Sequence, residues 1–149
     1  MTGADIAPAE LALLRAARAA SHRAEVGAAD RCGAVAETAD GGRYPGASYH
    51  PPDGVGVGAC AERVAAWAAR AATAAPIVCL ALWVPAAAGQ HPCGSCLQVL
   101  RELAPGARLV TQRGDGPPHR LVLDELLPDA FASYLAAPPP PPPEEDPKP

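Results

Sequence analysis

The spacing of apolar and polar positions changes several times along the chain, and each change predicts an element. From Pro8 to His22, the residues Leu11, Leu13, Leu14 and Ala17 form an apolar stripe at helical spacing. Pro8 suits a first turn and Glu10 lies in the early turns, so this stretch predicts a helix. Cys32 to Thr38 is a short apolar run of small residues, followed by the turn residues Asp40-Gly41-Gly42 and by Arg43-Tyr44. That sequence predicts a β-hairpin. Gly46 to Gly58, broken by Pro51-Pro52, Gly54 and Gly56, reads as a loop or an interrupted strand. A helical pattern of Ala, Val and Trp67 with Glu62, Arg63 and Arg70 then runs from Cys60 to Ala75, where Pro76 stops it. Ile77 to Val84 is continuously apolar, as expected of a strand covered on both faces. Cys93 to Leu103 predicts another helix ended by Pro105-Gly106, and Arg108 to Thr111 a short strand. Leu121 to Leu135 is a final strand or helix start, with Leu127, Phe131 and Leu135 spaced for a buried helical face.

Beyond Tyr134 the periodicity stops. Pro138 to Pro143 are consecutive prolines, followed by Glu144-Glu145-Asp146-Pro147-Lys148-Pro149. A proline run is extended and joins no helix or sheet ladder. The expected organisation is one domain over residues 1–135 and a disordered, Pro-rich acidic tail over 136–149. The alternation of hairpin, helix, strand, helix and strand predicts an α/β layered domain with helices on both faces of a central sheet.

Composition narrows the class. Apolar residues make up 49 % of the chain but aromatics only 4 %. A core of Ala, Val and Leu gains less from burial per residue, so such a fold leans on a metal or on subunit contacts. The net charge of −4 supplies no electrostatic landing surface for nucleic acid. No apolar run is long enough to span a membrane, and Asp5 and Glu10 precede any basic residue, unlike a signal peptide. Five cysteines, an odd number without a secretory signal, argue for a reducing, cytoplasmic compartment rather than a disulfide framework. Cys79, inside an apolar run, and Cys32 read as small buried hydrophobes.

The remaining three cysteines carry the candidate chemistry. Cys60-Ala61-Glu62 and Pro92-Cys93-Gly94-Ser95-Cys96 each stand at a predicted loop-to-helix junction. Free N–H groups and partial positive charge at helix starts favour the thiolate form. Cys60, Cys93 and Cys96 would hold a zinc ion with a fourth tetrahedral position left for water, while Glu62 handles protons without touching the metal. Arg63 would offset the thiolate charge by donating hydrogen bonds to the sulfurs. A closed, structural zinc knot would need a fourth ligand, for which His91 and His50 are the nearby candidates. His119 reads as a surface loop residue. His50, before Pro51-Pro52, reads as a loop residue with a pocket donor as the alternative.

These residues resemble the cytidine deaminase family, in its branch with three cysteine ligands. Cys60-Ala61-Glu62-Arg63 is similar to that family's Cys-Ala-Glu-Arg, and Pro92-Cys93-Gly94-Ser95-Cys96-Leu97-Gln98 to its Pro-Cys-Gly-x-Cys-Arg-Gln. Cys32-Gly33-Ala34-Val35 through Asp40-Gly41 to Gly46 resembles the family's hairpin, and Glu125-Leu126-Leu127-Pro128-Asp129-Ala130-Phe131 its C-terminal run. The resemblance implies a three-layer α/β/α sandwich around a mixed five-stranded sheet, zinc as the metal, and a homotetramer. It also implies that the Ala61 backbone contacts the pyrimidine carbonyl and that Arg63 partners the thiolates. Ser48 and His50 stand where the family's nucleoside binders carry the Asn and Glu of the ribose clamp, and Leu97 replaces an Arg. Tyr49-His50 is similar to the Tyr-His of blasticidin S deaminases, one residue out of register. The expected activity is zinc-dependent hydrolytic deamination of a cytosine-type nucleoside to the uracil form. The alternatives are a blasticidin S-type antibiotic-inactivating deaminase and an inactive zinc-binding relative acting as an accessory protein.

Overall fold

The computed structural model describes residues 6–25, 31–51, 57–128 and 130. The helix α1 (Pro8–Ser21) precedes a hairpin of β1 (Gly33–Thr38) and β2 (Arg43–Ala47). Then come α2 (Ala61–Ala72), β3 (Ile77–Val84), α3 (Gly94–Leu103), β4 (Arg108–Arg113), β5 (Pro118–Leu121) and the single-turn α4 (Leu123–Leu126). The strands form one sheet in the order β2-β1-β3-β4-β5. Only β3 and β4 pair in parallel; the other neighbours are antiparallel, so the sheet is mixed, as expected.

Strand alternation divides the core into two layers. On β3, Cys79 and Ala81 face one side, where with Val35 and Val110 they pack against Leu13, Leu14 and Ala17 of α1. Leu80, Leu82 and Val84 face the other side and meet the alanines of α2 and Leu100 of α3. Covering β3 on both faces requires its unbroken apolar run. The α/β/α sandwich is thus present, with α1 alone on one face among the described residues.

The alanine-rich face of α2 lets helix and sheet approach closely. A Cβ on Gly46 of β2 would lie 2.3 Å from the Ala61 carbonyl oxygen, so no larger residue fits there without movement. On the opposite face, the buried Glu10 anchors the start of α1. Its carboxylate accepts from the Ala7 N–H at 2.9 Å and from Arg120 at 2.7 Å, with Arg108 at 3.4 Å. Burial alone would raise this carboxyl, but those hydrogen bonds and the two arginine charges outweigh it and hold the carboxyl below the usual range.

Several boundaries differ from expectation. Leu11 is 36 % exposed and lies off the buried stripe of α1. The helix α2 ends at Ala72, four residues before Pro76, with Thr73 capping back to Ala69. Strand β4 extends to Arg113, which pairs with Val84 of β3, while β5 pairs along Leu109 to Gln112. His119 therefore sits in a strand opposite Thr111, not in a surface loop. Asp129, Phe131, Leu135 and the proline-rich tail lie outside the described residues. Among the described residues no helix is long and apolar enough to cross a membrane.

Candidate active site

Because β1 runs antiparallel to both of its neighbours, its start meets the ends of β2 and β3: Gly33 pairs with Ala47 and with Trp83. The starts of α2 and α3 open at this same end. Cys60 is the N-cap of α2 and Cys93 the N-cap of α3, both with extended backbone, and Cys96 lies in the first turn of α3. The three sulfurs converge: Sγ of Cys93 stands 3.9 Å from that of Cys60 and 3.4 Å from that of Cys96, and all lie within 4.8 Å of one another.

That donor set fits a tetrahedral cation. Zinc–thiolate bonds of about 2.3 Å place tetrahedral sulfurs about 3.8 Å apart, close to the separations observed. The electrostatics point the same way. Hydrogen bonding from Cys96 brings the Cys60 thiol down to about 5 against its own desolvation, with Cys93, Arg63 and His50 assisting. Cys96, as the donor in that pair and itself buried, is pushed up. Neither His50 nor His91 joins the sulfurs, so among the described residues the group is three thiols and no fourth protein ligand. This is the ligand count of an open site rather than of a closed structural knot.

Glu62, two residues into α2, is only 4 % exposed. Burial, with the Cys60 thiolate adding repulsion, raises its carboxyl to about 7. A carboxyl in that range takes up and releases a proton near neutral pH. The Arg63 guanidinium bridges the two helix starts, donating to Ser95 Oγ and to the Gly58 carbonyl, each at 3.4 Å, and stacking over Trp67 at 5.6 Å. Burial would ease a proton off this guanidinium, but the charges of the three cysteines and a hydrogen bond to Cys60 outweigh it and raise its pKa.

Cys60, Cys93 and Glu62 border a cleft of about 160 Å³ whose apolar wall is Leu82 and Val84 at the end of β3. Ser48, His50, His91, Cys32 and Gly89 complete the lining. Ser48 is buried, its Oγ accepting from the Cys32 N–H at 3.0 Å and donating to the Cys32 carbonyl at 3.3 Å. His50 is exposed at the rim and packs on Gly58, where a Cβ would stand 2.4 Å from Nδ1. Ala61 is fully buried, with its side chain in the core. Cys79 is buried as expected, and burial raises its thiol to about 11. Cys32 is not: it is half-buried and forms part of the cleft wall, placed there by the antiparallel pairing of β1 with β3. Leu82, Val84 and Gly89 also reach the cleft, with no local sequence signal to mark them.

No family model matches the chain. Solved structures do. A cytidine deaminase from Burkholderia pseudomallei superposes with a TM-score of 0.72 at 31 % identity, covering 88 % of this chain and 100 % of that one. The chain belongs to the cytidine deaminase family. A cytidine deaminase from Mycobacterium tuberculosis matches at 31 % identity and a TM-score of 0.65, over 83 % of this chain and 97 % of that one. The Mycobacterium leprae cytidine deaminase, at 22 % identity and a TM-score of 0.61 over 79 % and 96 %, shares the fold. The deaminase fold thus extends over nearly the full length of these relatives, and the three-thiol group occupies one end of its sheet.

Proposed function

We propose that this protein is a zinc-dependent aminohydrolase that converts a cytosine-type nucleoside to its uracil form with release of ammonia. The observation that carries this reading is the convergence of Cys60, Cys93 and Cys96, with Cys60, Cys93 and the buried, proton-labile Glu62 bordering one cleft. Cys60, Cys93 and Cys96 would hold the zinc, which would supply a Lewis acid able to make water nucleophilic near neutral pH. Glu62 takes a proton from the attacking water, delivers it to the ring nitrogen, and passes the second to the departing amine. One carboxylate thus acts first as base and then as acid. Ala61 occupies the first position of α2, where the N–H has no intrahelical acceptor and serves the pyrimidine carbonyl. Arg63 balances the thiolate charge and ties the two metal-bearing helix starts together.

On the sugar side the reading assigns Ser48 and His50. The Ser48 hydroxyl already bridges the Cys32 peptide groups, which leaves His50 at the rim as the donor toward the sugar. This favours a second reading of the same chemistry, in which the substrate is a modified cytosine nucleoside such as the antibiotic blasticidin S. An inactive accessory role is disfavoured, because it gives no reason to bury a carboxylate beside three thiols. Trp67, Tyr49, Val57 and Val122 are exposed large hydrophobics, which supports a homo-oligomer, a tetramer by family resemblance. We place the protein in the cytoplasm, where its free thiols stay reduced.

The test is ammonia release, read with loss of the cytosine absorbance band, on zinc-loaded protein given cytidine, deoxycytidine, cytosine and blasticidin S. Turnover of cytidine or deoxycytidine supports the nucleoside reading. Turnover of blasticidin S alone selects the second. No turnover of any of them, at one zinc per chain, rejects both.

A further inference from the structure

A second concavity, of about 400 Å³, lies between the loop after β3 and the turn joining β4 to β5. It is distinct from the deaminase cleft: Gly89 and His91 line the cleft, while Gln90 between them lines this hollow. We propose that the hollow binds a small phosphate-bearing ligand, with Arg113, His119 and the Gln90 amide as its donors.

The donors are held in place by the fold. Arg113 ends β4, and the turn beyond it is pinned by hydrogen bonds from Gly114 N–H to Val84 (2.8 Å), from Gly116 N–H to Arg113 (2.9 Å), and from the Gln112 side chain to Gly116 (3.0 Å). Trp83 Nε1 adds a bond to the Gly114 carbonyl at 3.0 Å. His119 projects from β5, which is paired along β4. A site on such a frame needs little ordering when a ligand arrives.

Charge selects the ligand. The carboxylate lining the hollow, Asp115, is paired with Arg18 at 2.7 Å. Arg113 makes no ion pair among the described residues, so its guanidinium is left for a ligand in the hollow. The Gln90 Nε2 is buried with no acceptor, a donor that a ligand oxygen would satisfy. A cation would meet Arg113 and find Asp115 engaged; an apolar ligand would leave Gln90 unmet. An oxyanion satisfies all three donors, and a phosphate matches the guanidinium fork with paired oxygens.

The experiment is a titration of the full, zinc-loaded chain with inorganic phosphate, followed by ¹⁵N NMR and compared with sodium chloride at matched ionic strength. Ribose 5-phosphate and acetate are run as parallel arms. The expected result is a saturating shift of the Gln90 side-chain amide with phosphate. Affinity should fall at least tenfold in Arg113→Ala and less in Arg113→Lys. Ribose 5-phosphate binding more tightly than inorganic phosphate makes the ligand a phosphomonoester, and the reverse makes it the free ion. Shifts that track ionic strength, equal affinity in Arg113→Ala, or acetate binding as tightly as phosphate would each overturn the proposal. Arg113 is exposed, so its variants should keep the wild-type Tm, and His119→Ala gives an independent weakening if one of them does not fold. The readout is binding, so it stands or falls separately from deaminase activity.

Discussion

Replacing Gly46 with alanine perturbs the candidate site without touching any of its side chains. A Cβ at this position would lie 2.3 Å from the Ala61 carbonyl oxygen and 2.5 Å from the Ala65 nitrogen, inside the 3.0 Å that Cβ contacts respect. Both are backbone atoms of α2, so no rotamer change relieves the clash. The first turn of α2 must retreat, and that turn begins at the Cys60 cap and carries Glu62. Overpacking of this kind costs about 1–3 kcal/mol, or a loss of several degrees in Tm. A shift of the order of 1 Å in a catalytic group costs about 10²-fold in rate, so turnover per folded, metal-loaded molecule should drop about 10–100-fold. Gly33→Ala is the matched control. Its Cβ would meet Ala17 O at 2.0 Å and Ser21 N at 2.5 Å, both in α1, which carries none of the candidate residues. Thermal melts, metal content and ammonia release on all three proteins give the comparison. Wild-type Tm and turnover in Gly46→Ala, or a larger loss of turnover in Gly33→Ala, would refute the coupling of β2 to the site.

Three further outcomes are expected. Glu62→Ala should retain metal and fold while turnover falls by about 10²–10⁴-fold; near-normal ammonia release would remove Glu62 from the mechanism. Cys93→Ala should lose stoichiometric zinc and melt lower, because metal binding is linked to folding. Metal analysis showing a full load at an unchanged Tm would exclude Cys93 as a ligand. Glu10→Gln should cost about 1.5–3 kcal/mol at pH 7, the value of hydrogen bonds to a charged group. The folded carboxyl of Glu10 titrates below its ordinary 4.5, so its contribution is present above about pH 4.5 and is lost as the pH falls through the lower folded value. The stability gap between wild type and Glu10→Gln, measured by denaturant melts, should therefore shrink in acid. A gap independent of pH would mean that the carboxylate charge is not what anchors α1.

Local chemistry was readable from the chain alone. The hairpin, the buried strand and the starts of α2 and α3 follow from periodicity, from turn residues and from the placement of Cys60 and Cys93 just before helical patterns. Those motifs also named the residues that the fold brings together, because Cys60 with Glu62, and Cys93 with Cys96, each lie within one turn of a single helix. Helix ends were unevenly legible: α3 ends at Leu103, as the pattern before Pro105-Gly106 indicates, whereas α2 stops at Ala72, short of the Ala75 that Pro76 marks.

Tertiary structure decided everything that depends on one element meeting another. Cys32 and Cys79 look alike as lone cysteines in apolar runs. One forms part of the cleft wall and the other is buried under α1, because the antiparallel register sets the first at the open end of the sheet and the second in its middle. His119 became a strand residue only through pairing with β4, and Ser48 became a bridge only by reaching across to the Cys32 peptide groups. Spacing within an element is set by the backbone's own period, and a sequence displays it directly. Contacts between elements are set by register and close packing, which arise only when the whole chain folds.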